Sequence, residues 1–205
     1  MQTSRYYRSF IDSKKGELSI LRASKAKYQE QIASKQVSLE YILGAQELLQ
    51  QTAQKTQSRL SFHISNFISS NLEAIWGEDA YTFSMEFIEK RNKTEVSMLL
   101  HTPEGDVSLD SLNNVRGGGG VLDIVAFGLR IALWSLQSQK QKVMILDQPL
   151  SNLDQEHLPK AGELIKELSD KLGIQFIIIN HNPALAEIAD NTIEVVKRNN
   201  VSKVI

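Results

Sequence analysis

The sequence has no cysteine and only four prolines among its 205 residues. Without cysteine, the chain has neither a disulfide scaffold nor a thiolate nucleophile or metal site. No apolar run approaches the length of a membrane span, and the first seven residues lack the apolar core of a secretory signal. We therefore expect a soluble, cytoplasmic protein with no membrane partner.

A second absence concerns nucleotide binding. The pattern G-x-x-x-x-G-K-[ST], whose backbone amides and lysine hold nucleotide phosphates, occurs nowhere in the chain. None of Gly16, Gly44, Gly162 and Gly173 is followed by Lys-Ser or Lys-Thr. If the protein handles a nucleotide, another polypeptide segment has to supply this loop.

The formal net charge of −1 conceals an asymmetry along the chain. Residues 1–60 hold ten Lys or Arg against five Asp or Glu, a net charge of +5, and the remainder holds 13 against 19, a net charge of −6. This difference indicates two segments with a boundary near residue 60. The basic surplus fits contact with DNA phosphates, and equally a solvated helix face.

The basic segment has the spacing of a coiled-coil helix. Residues 16–60 contain no proline and are rich in helix-favouring residues. Two heptad series are strongly apolar at about half of their positions, at Leu18, Ile32, Leu39 and Leu60 and at Leu21, Tyr28, Ile42 and Leu49. We expect residues 1–60 to be the C-terminal strand of a coiled-coil arm whose partner strand is missing from this chain. The alternative is a solvated amphipathic helix packed on its own domain.

Residues 61–205 are expected to form an α/β domain. Apolar spacing extends the helix to Gly77, and alternation in residues 81–88 and 94–101 indicates a hairpin of strands with a turn at 102–106. The second half predicts a helix at 121–136, a strand at 143–146, a helix at 158–172, a strand at 174–179, a helix after Pro183 and a strand at 192–196. This alternation predicts a parallel sheet sandwiched by helices.

Polar residues follow two of these strands, at the sheet edge where ligands bind in such folds. Asp147 and Gln148 follow the first strand, and His181 follows the second. A carboxylate in this place is typical of Mg²⁺ sites in phosphate-binding sheets, and an imidazole there can hydrogen-bond a transferring phosphate or its attacking water. The alternatives are a turn residue for Asp147 and a capping or satisfied structural group for His181.

Four glycines, Gly117 to Gly120, precede the helix at 121–136. Glycine lets backbone amides approach an anion, and the N-terminus of the following helix adds favourable potential. The alternative is a flexible surface loop.

Taken in order, these motifs resemble the C-terminal lobe of an ABC-type ATPase head: the glycine run, the strand with Asp147 and Gln148, the segment Ser151-Asn152-Leu153-Asp154, and the strand before His181. With the arm, the resemblance is to structural-maintenance-of-chromosomes (SMC) proteins and DNA-repair ATPases of the SbcC type, including phage-encoded relatives. It covers nearly the whole chain and implies ATP and Mg²⁺ as cofactors.

The resemblance also implies a role for each motif. The signature loop, which in the family contacts the γ-phosphate of ATP held by the opposite head, corresponds to Arg116, Gly117, Gly118, Gly119 and Gly120. Asp147 corresponds to the Walker B carboxylate that holds Mg²⁺ through water, and His181 to the switch histidine. Residues 151–154 (Ser151, Asn152, Leu153 and Asp154) correspond to the D-loop, which crosses the dimer interface.

Two residues depart from the family pattern. Gly118 stands where the family usually has Ser, so backbone amides have to make more of the phosphate contact. Gln148 stands where the family has a Glu that polarises the attacking water. Glutamine is nearly isosteric but cannot accept a proton, and loss of a positioned general base costs about 10²–10⁴ in rate. We expect ATP to bind and to be hydrolysed slowly.

The leading hypothesis is the C-terminal half of an SMC/SbcC-like ATPase, completed by an N-terminal lobe that carries the phosphate-binding loop in the same or a separate chain. ATP then drives a head–head dimer that acts on DNA in repair, recombination or replication, with a nuclease subunit as a further partner. The second hypothesis is a non-catalytic interaction or regulatory module that dimerises with an intact ATPase head. A membrane-transporter ATPase comes third, because the long heptad arm disfavours it.

Overall fold

The computed structural model describes residues 2–78, 80–91, 93–112, 119–137, 142–198 and 201–205. The chain divides into two compact units, Met1–Thr56 and Gln57–Ile205. One helix, α1, runs from Gln2 to Trp76 and contributes to both units. The domain boundary expected after residue 60 stays a prediction.

Helix α1 is 75 residues long, and its sequence contains no proline. The helix is followed by Gly77, whose φ of +93° costs glycine nothing because it has no Cβ. The Gly77 amide donates to the Glu73 carbonyl at 2.8 Å and satisfies one of the last carbonyls of the helix. The end predicted at Gly77 is confirmed, and the helix begins earlier than expected.

In the unit Met1–Thr56, the apolar heptad positions of α1 lie at the surface. Seven of them are between 47% and 71% exposed: Leu18, Leu21, Tyr28, Ile32, Leu39, Ile42 and Leu49. The 75-residue length of α1, with apolar residues at these heptad positions, supports the coiled-coil interpretation.

The unit Gln57–Ile205 contains a three-stranded antiparallel sheet in the order β1-β2-β3. Its strands are β1 (Thr82–Lys90), β2 (Lys93–Thr102) and β3 (Gly105–Ser108), and a short helix, α2 (Leu109–Leu112), follows. Two hydrogen bonds attach strand β1 to α1. The Phe83 amide donates to the Ser69 hydroxyl at 2.9 Å, and the Met85 amide donates to the Ser65 hydroxyl at 3.0 Å. The predicted hairpin is confirmed.

One polar network crosses all three antiparallel strands. Nδ1 of His101 lies 2.7 Å from Oδ1 of Asp106, and its Nε2 lies 2.8 Å from Oγ of Ser84. Each residue comes from a different strand, so the network holds the three strands in register.

The second half of this unit alternates helices and strands as predicted. Its elements are α3 (Gly119–Ser135), β4 (Val143–Asp147), α4 (Leu158–Leu172), β5 (Gln175–Ile179) and α5 (Pro183–Ile188). Strands β4 and β5 pair in parallel, with Val143 opposite Gln175 and Asp147 opposite Ile179. The predicted α/β class with a parallel sheet and a preceding long helix is confirmed.

Helix α3 lies in the centre of the core of this unit. Its side chains Ile124, Phe127 and Ile131 are at most 1% exposed. Gly128 of α3 faces α1, where a Cβ would lie 3.1 Å from Cγ1 of Ile68. This close approach between α1 and α3 needs a residue without a side chain.

The prediction of a third parallel strand at 192–196 is wrong. Strand β6 (Val195–Arg198) pairs antiparallel with β7 (Val201–Val204) in a separate two-stranded sheet. Only residues 199 and 200 separate these strands, so antiparallel pairing satisfies their backbone groups without a crossover. A short apolar segment carries no signal that distinguishes the two arrangements.

The parallel pair β4–β5 has one covered face and one open face. The inward side chains pack against the core: Met144, Leu146, Phe176 and Ile178. The outward side chains, which we call the open face, are between 43% and 68% exposed: Val143, Ile145, Ile177 and Ile179. Apolar residues on both sides of a strand predict cover on both faces, and the described residues cover one.

Candidate functional site

The ends of β4 and β5 bring three of the predicted site residues to one edge of the sheet. Asp147 is the last residue of β4 and is paired with Ile179, the last residue of β5. The amide of Gln148 donates to the Ile179 carbonyl at 2.9 Å, which extends the pairing by one residue. His181 follows Ile179 by two residues, and all three predicted residues are exposed.

The structure also bears on the structural alternatives for Asp147 and His181. Within the described part of the chain, neither side chain makes a hydrogen bond or an ion pair. The N-cap of α5 is Asn182, whose side chain accepts from the Ala184 amide at 3.0 Å. The capping and turn roles are therefore not seen for His181 and Asp147, and both side chains are available to a ligand.

Gln148 has a φ of +45°, in the left-handed region. This conformation costs a residue with a side chain about 1–2 kcal/mol. The hydrogen bond to Ile179 holds Gln148 on one side, and the buried residues Pro149 and Leu150 follow on the other. The surrounding fold therefore sets this backbone conformation, and a Glu at position 148 would project from the same place.

The segment Ser151–Asp154, predicted as the D-loop, connects the sheet edge to α4. Leu153 is buried, and its amide lies 3.3 Å from the Leu150 carbonyl in a tight turn. Oδ1 of Asp154 accepts from the amide of His157 at 3.0 Å and lies 2.6 Å from Nδ1 of the same residue. These contacts lower the pKa of Asp154, first through the side-chain hydrogen bond and then through the backbone one.

His157 is a residue that the sequence analysis did not identify. Its ring packs on Trp76 near the end of α1, with a centroid distance of 5.3 Å and an interplanar angle of 34°. In the next turn, Nζ of Lys160 donates to the Ile75 carbonyl at 3.1 Å. The start of α4 is thereby fixed to the end of α1. The spacing Asp-x-x-His directly before a helix is the sequence signal that could have identified His157.

Of the predicted signature loop, Arg116, Gly117 and Gly118 lie outside the described residues. Gly119 and Gly120 form the first turn of α3 and pack directly on the D-loop segment. A Cβ at Gly119 would lie 2.8 Å from Cβ of Asn152, and one at Gly120 would lie 3.2 Å from the Asn152 carbonyl oxygen. The structure therefore brings the end of the glycine run together with residues 151–154.

Asp123, one turn into α3, is a second residue that the sequence analysis missed. Its Oδ2 accepts from the Asn152 amide at 2.8 Å, and its Oδ1 accepts from Nδ2 of Asn152 at 3.2 Å. The two residues are 29 positions apart in the sequence. No local pattern could have indicated this pairing.

The donor set at the sheet edge fits a magnesium ion that arrives with a nucleotide. Asp147 supplies one exposed carboxylate, and the described residues contain no group of three or more His, Cys, Asp or Glu that could hold a metal alone. Proteins commonly bind Mg²⁺ through one or two carboxylates, several waters and substrate phosphates. The donor set does not fit an all-protein metal cage.

The arrangement as a whole suits phosphate chemistry at the edge of the sheet. It places a carboxylate, an amide side chain and an imidazole beside the ends of two parallel strands, where ligands bind in open α/β sheets. The turn at residues 151–154 follows in the sequence and contacts the first turn of α3, which contains Gly119 and Gly120. No helix within the described ranges is long and apolar enough to cross a membrane.

Comparison with known proteins gives both sequence relatives and structural neighbours. No family model matches the chain. Over 119 residues the chain is 35% identical to the DNA double-strand break repair Rad50 ATPase of Methanocaldococcus jannaschii. The match covers 58% of this chain and 11% of that protein, so the chain spans only a small part of its relative.

The structural neighbours are SMC heads. The SMC head domain with a coiled coil and joint from Pyrococcus yayanosii aligns with 88% of this chain and 33% of that chain, at 18% identity and a TM-score of 0.62. A structure from work on ATP-driven dimerization and DNA-stimulated activation of SMC ATPases aligns with 74% of this chain and 88% of that chain, at 20% identity and a TM-score of 0.57. These likenesses show the fold, and together with the Rad50 relative they confirm the predicted resemblance to SMC- and Rad50-type ABC ATPases.

Proposed function

We propose that this chain is the C-terminal half of an SMC-like ATPase head in the cytoplasm. Completed by an N-terminal lobe with the phosphate-binding loop, it binds ATP with Mg²⁺ between two heads and hydrolyses it slowly. The observation that carries the proposal is the meeting of Asp147, Gln148 and His181 at one end of a parallel strand pair. The similarity to a DNA double-strand break repair Rad50 ATPase supports action on DNA. A nuclease subunit is a further partner in this proposal.

Asp147, Gln148 and His181 have roles in this proposal that their positions allow, and the residues of the signature loop and the D-loop have roles that follow from the resemblance. Asp147 holds Mg²⁺ through water, and the bound ion neutralises charge on the phosphates. His181 hydrogen-bonds the phosphate or the attacking water, and Gln148 orients that water without accepting its proton. Arg116 and the glycines 117–120 contact the γ-phosphate held by the opposite head, and residues 151–154 cross the dimer interface.

The open face supports the proposal of a second lobe. Of its four aliphatic side chains, Ile145 lies opposite Ile177, and Ile179 lies opposite Asp147. Burying an aliphatic side chain of this size is worth about 1.5–3 kcal/mol. A lobe that continues the sheet and lays a helix over this face would bring its phosphate-binding loop to the edge that holds Asp147.

Calorimetric titration with Mg·ATP tests the proposal. The chain alone should not bind, because it lacks the phosphate-binding loop, whereas the chain co-purified with the N-terminal lobe should. Asp147→Ala should weaken Mg·ATP binding in the pair, and Asp170→Ala, which removes an exposed carboxylate from α4, should not. Absence of binding in both preparations would overturn the ATPase proposal and support the non-catalytic interaction module.

Turnover by the pair tests the role of Gln148. Gln148→Glu restores a general base at a backbone position that the fold already holds, so we expect the hydrolysis rate to rise by about 10²–10⁴. The affinity for ATP should change little, because the two side chains are nearly isosteric. If the unaltered pair hydrolysed ATP at an ordinary rate and Gln148→Glu did not raise that rate, the proposal that turnover is slow because the general base is missing would be contradicted.

A further inference from the structure

We propose that Asp123 is a positioning residue that locks the D-loop segment Ser151–Asp154 to the N-terminus of α3. The inference rests on the proposed function, in which the glycine run contacts the nucleotide and the D-loop segment crosses the dimer interface. Asp123 itself does not contact the nucleotide in this account. It makes the two elements present one fixed surface to the opposite head.

The first observation is the two-point contact between Asp123 and Asn152. Both carboxylate oxygens accept from the same residue, one from its backbone amide at 2.8 Å and one from its side-chain nitrogen at 3.2 Å. Two parallel bonds to a planar carboxylate fix orientation as well as distance, and bonds to an ionised acceptor are about twice as strong as neutral ones. Rotation of the Asn152 side chain therefore breaks the bond from Nδ2, and a movement of its backbone breaks the bond from the amide.

The second observation is the fit around the glycines. A Cβ at Gly119 would lie 2.8 Å from Cβ of Asn152, and one at Gly120 would lie 3.1 Å from Cδ1 of Leu153. The backbone of the first turn of α3 therefore lies directly against Asn152 and Leu153 of the D-loop segment. One turn further along α3, the hydrogen bonds of Asp123 form a second contact between the same two elements.

The third observation is that Asp123 has no cationic partner within the described residues. No Lys, Arg or His there lies within ion-pair distance of its carboxylate, although six such pairs occur elsewhere in the described chain. The contacts of this half-buried carboxylate that the structure shows are those to Asn152. Its placement is explained by the geometry of the D-loop segment rather than by a surface ion pair.

Hydrogen exchange of the Asn152 amide in the nucleotide-free chain tests whether the lock exists. Asp123→Ala should speed exchange at this amide by roughly 10- to 100-fold, as expected for loss of a hydrogen bond to a charged acceptor. Asp123→Asn keeps one acceptor oxygen and should have a smaller effect. The exchanged pair Asp123→Asn with Asn152→Asp restores complementary donors and acceptors and should restore protection. Asp170→Ala is the matched control and should change nothing.

ATP-driven dimerisation of the chain paired with the N-terminal lobe tests the positioning role. Asp123→Ala should raise the ATP concentration for half-maximal dimerisation by about tenfold, and the exchanged pair should recover it. ATP affinity at low protein concentration, where heads are monomeric, should stay unchanged. A purely structural residue would lower thermal stability without this selective effect.

The outcomes separate the inference from the proposed function. If the unaltered pair does not dimerise with ATP, the proposed function fails, and the positioning role fails with it. If the pair dimerises and Asp123→Ala dimerises at the same ATP concentration, only the positioning role fails. Unchanged exchange at the Asn152 amide in Asp123→Ala would overturn the lock itself. Should Asp123→Ala not fold, Asp123→Asn and the exchanged pair give the same comparison.

Discussion

The two faces of the parallel strand pair β4–β5 differ although each carries four apolar side chains. One face packs Met144, Leu146, Phe176 and Ile178 against the core, and the other leaves Val143, Ile145, Ile177 and Ile179 open. A strand pair with two apolar faces belongs in a sheet that is covered on both sides. The difference teaches that one face of the pair belongs to the core of a domain, whereas the other is an apolar surface on which we propose that a second lobe packs.

The largest expected effect on stability comes from comparing one residue on each face of β4. Leu146→Ala removes a side chain that is 6% exposed and should lower the free energy of unfolding by about 2–5 kcal/mol. Ile145→Ala, its neighbour on the open face and 68% exposed, should change it by less than about 0.5 kcal/mol. Urea unfolding of the isolated chain measures both. Equal losses would mean that the open face is covered in solution.

A smaller effect compares glycines in the two units. Gly120→Ala places a Cβ 3.2 Å from the Asn152 carbonyl oxygen and should lower the free energy of unfolding by about 1–3 kcal/mol. Gly44→Ala in α1 meets nothing within 4 Å and should stabilise the helix by up to about 1 kcal/mol. Thermal unfolding, monitored by circular dichroism, distinguishes the destabilisation expected for Gly120→Ala from the stabilisation expected for Gly44→Ala. Stabilisation by Gly120→Ala would contradict the close contact between α3 and residues 151–154.

The smallest effect concerns Asp154 and pH. Hydrogen bonds from His157 lower the pKa of this carboxylate in the folded chain, so the folded state favours the ionised form. The resulting stability is present above the unfolded pKa of about 3.9 and is lost as pH falls through the lower folded value. The advantage of the unaltered chain over Asp154→Asn should be visible at pH 5 and should shrink as the pH falls below about 4. An advantage that grows on acidification would contradict the direction of the shift.

Much of the fold could be predicted from the sequence because its signals are local. The helical character of α1, its end at Gly77 and the β1–β2 hairpin follow from proline absence, glycine and alternation. The position of Asp147 and His181 follows from the rule that ligands lie at the ends of parallel strands. These features need no knowledge of which distant residues meet.

The remainder depends on tertiary contacts that a single sequence does not encode locally. The antiparallel pairing of β6 with β7 competes with a parallel arrangement that the same apolar residues allow. The exposure of the open face is not evident from the sequence, because four of its side chains are aliphatic. Asp123 and Asn152 are 29 residues apart, so their contact emerges only when α3 packs on the turn after β4.

Association between the chain and its N-terminal lobe tests the central claim most directly. We expect the unaltered chain to bind the lobe in calorimetric titration, and Ile177→Lys, which puts a charge in the centre of the open face, to abolish binding while leaving the chain folded. Val96→Lys on β2, at the same 45% exposure as Ile177, is the matched control and should bind normally. Undiminished binding by Ile177→Lys would contradict the claim that the open face is where the other half of the head docks.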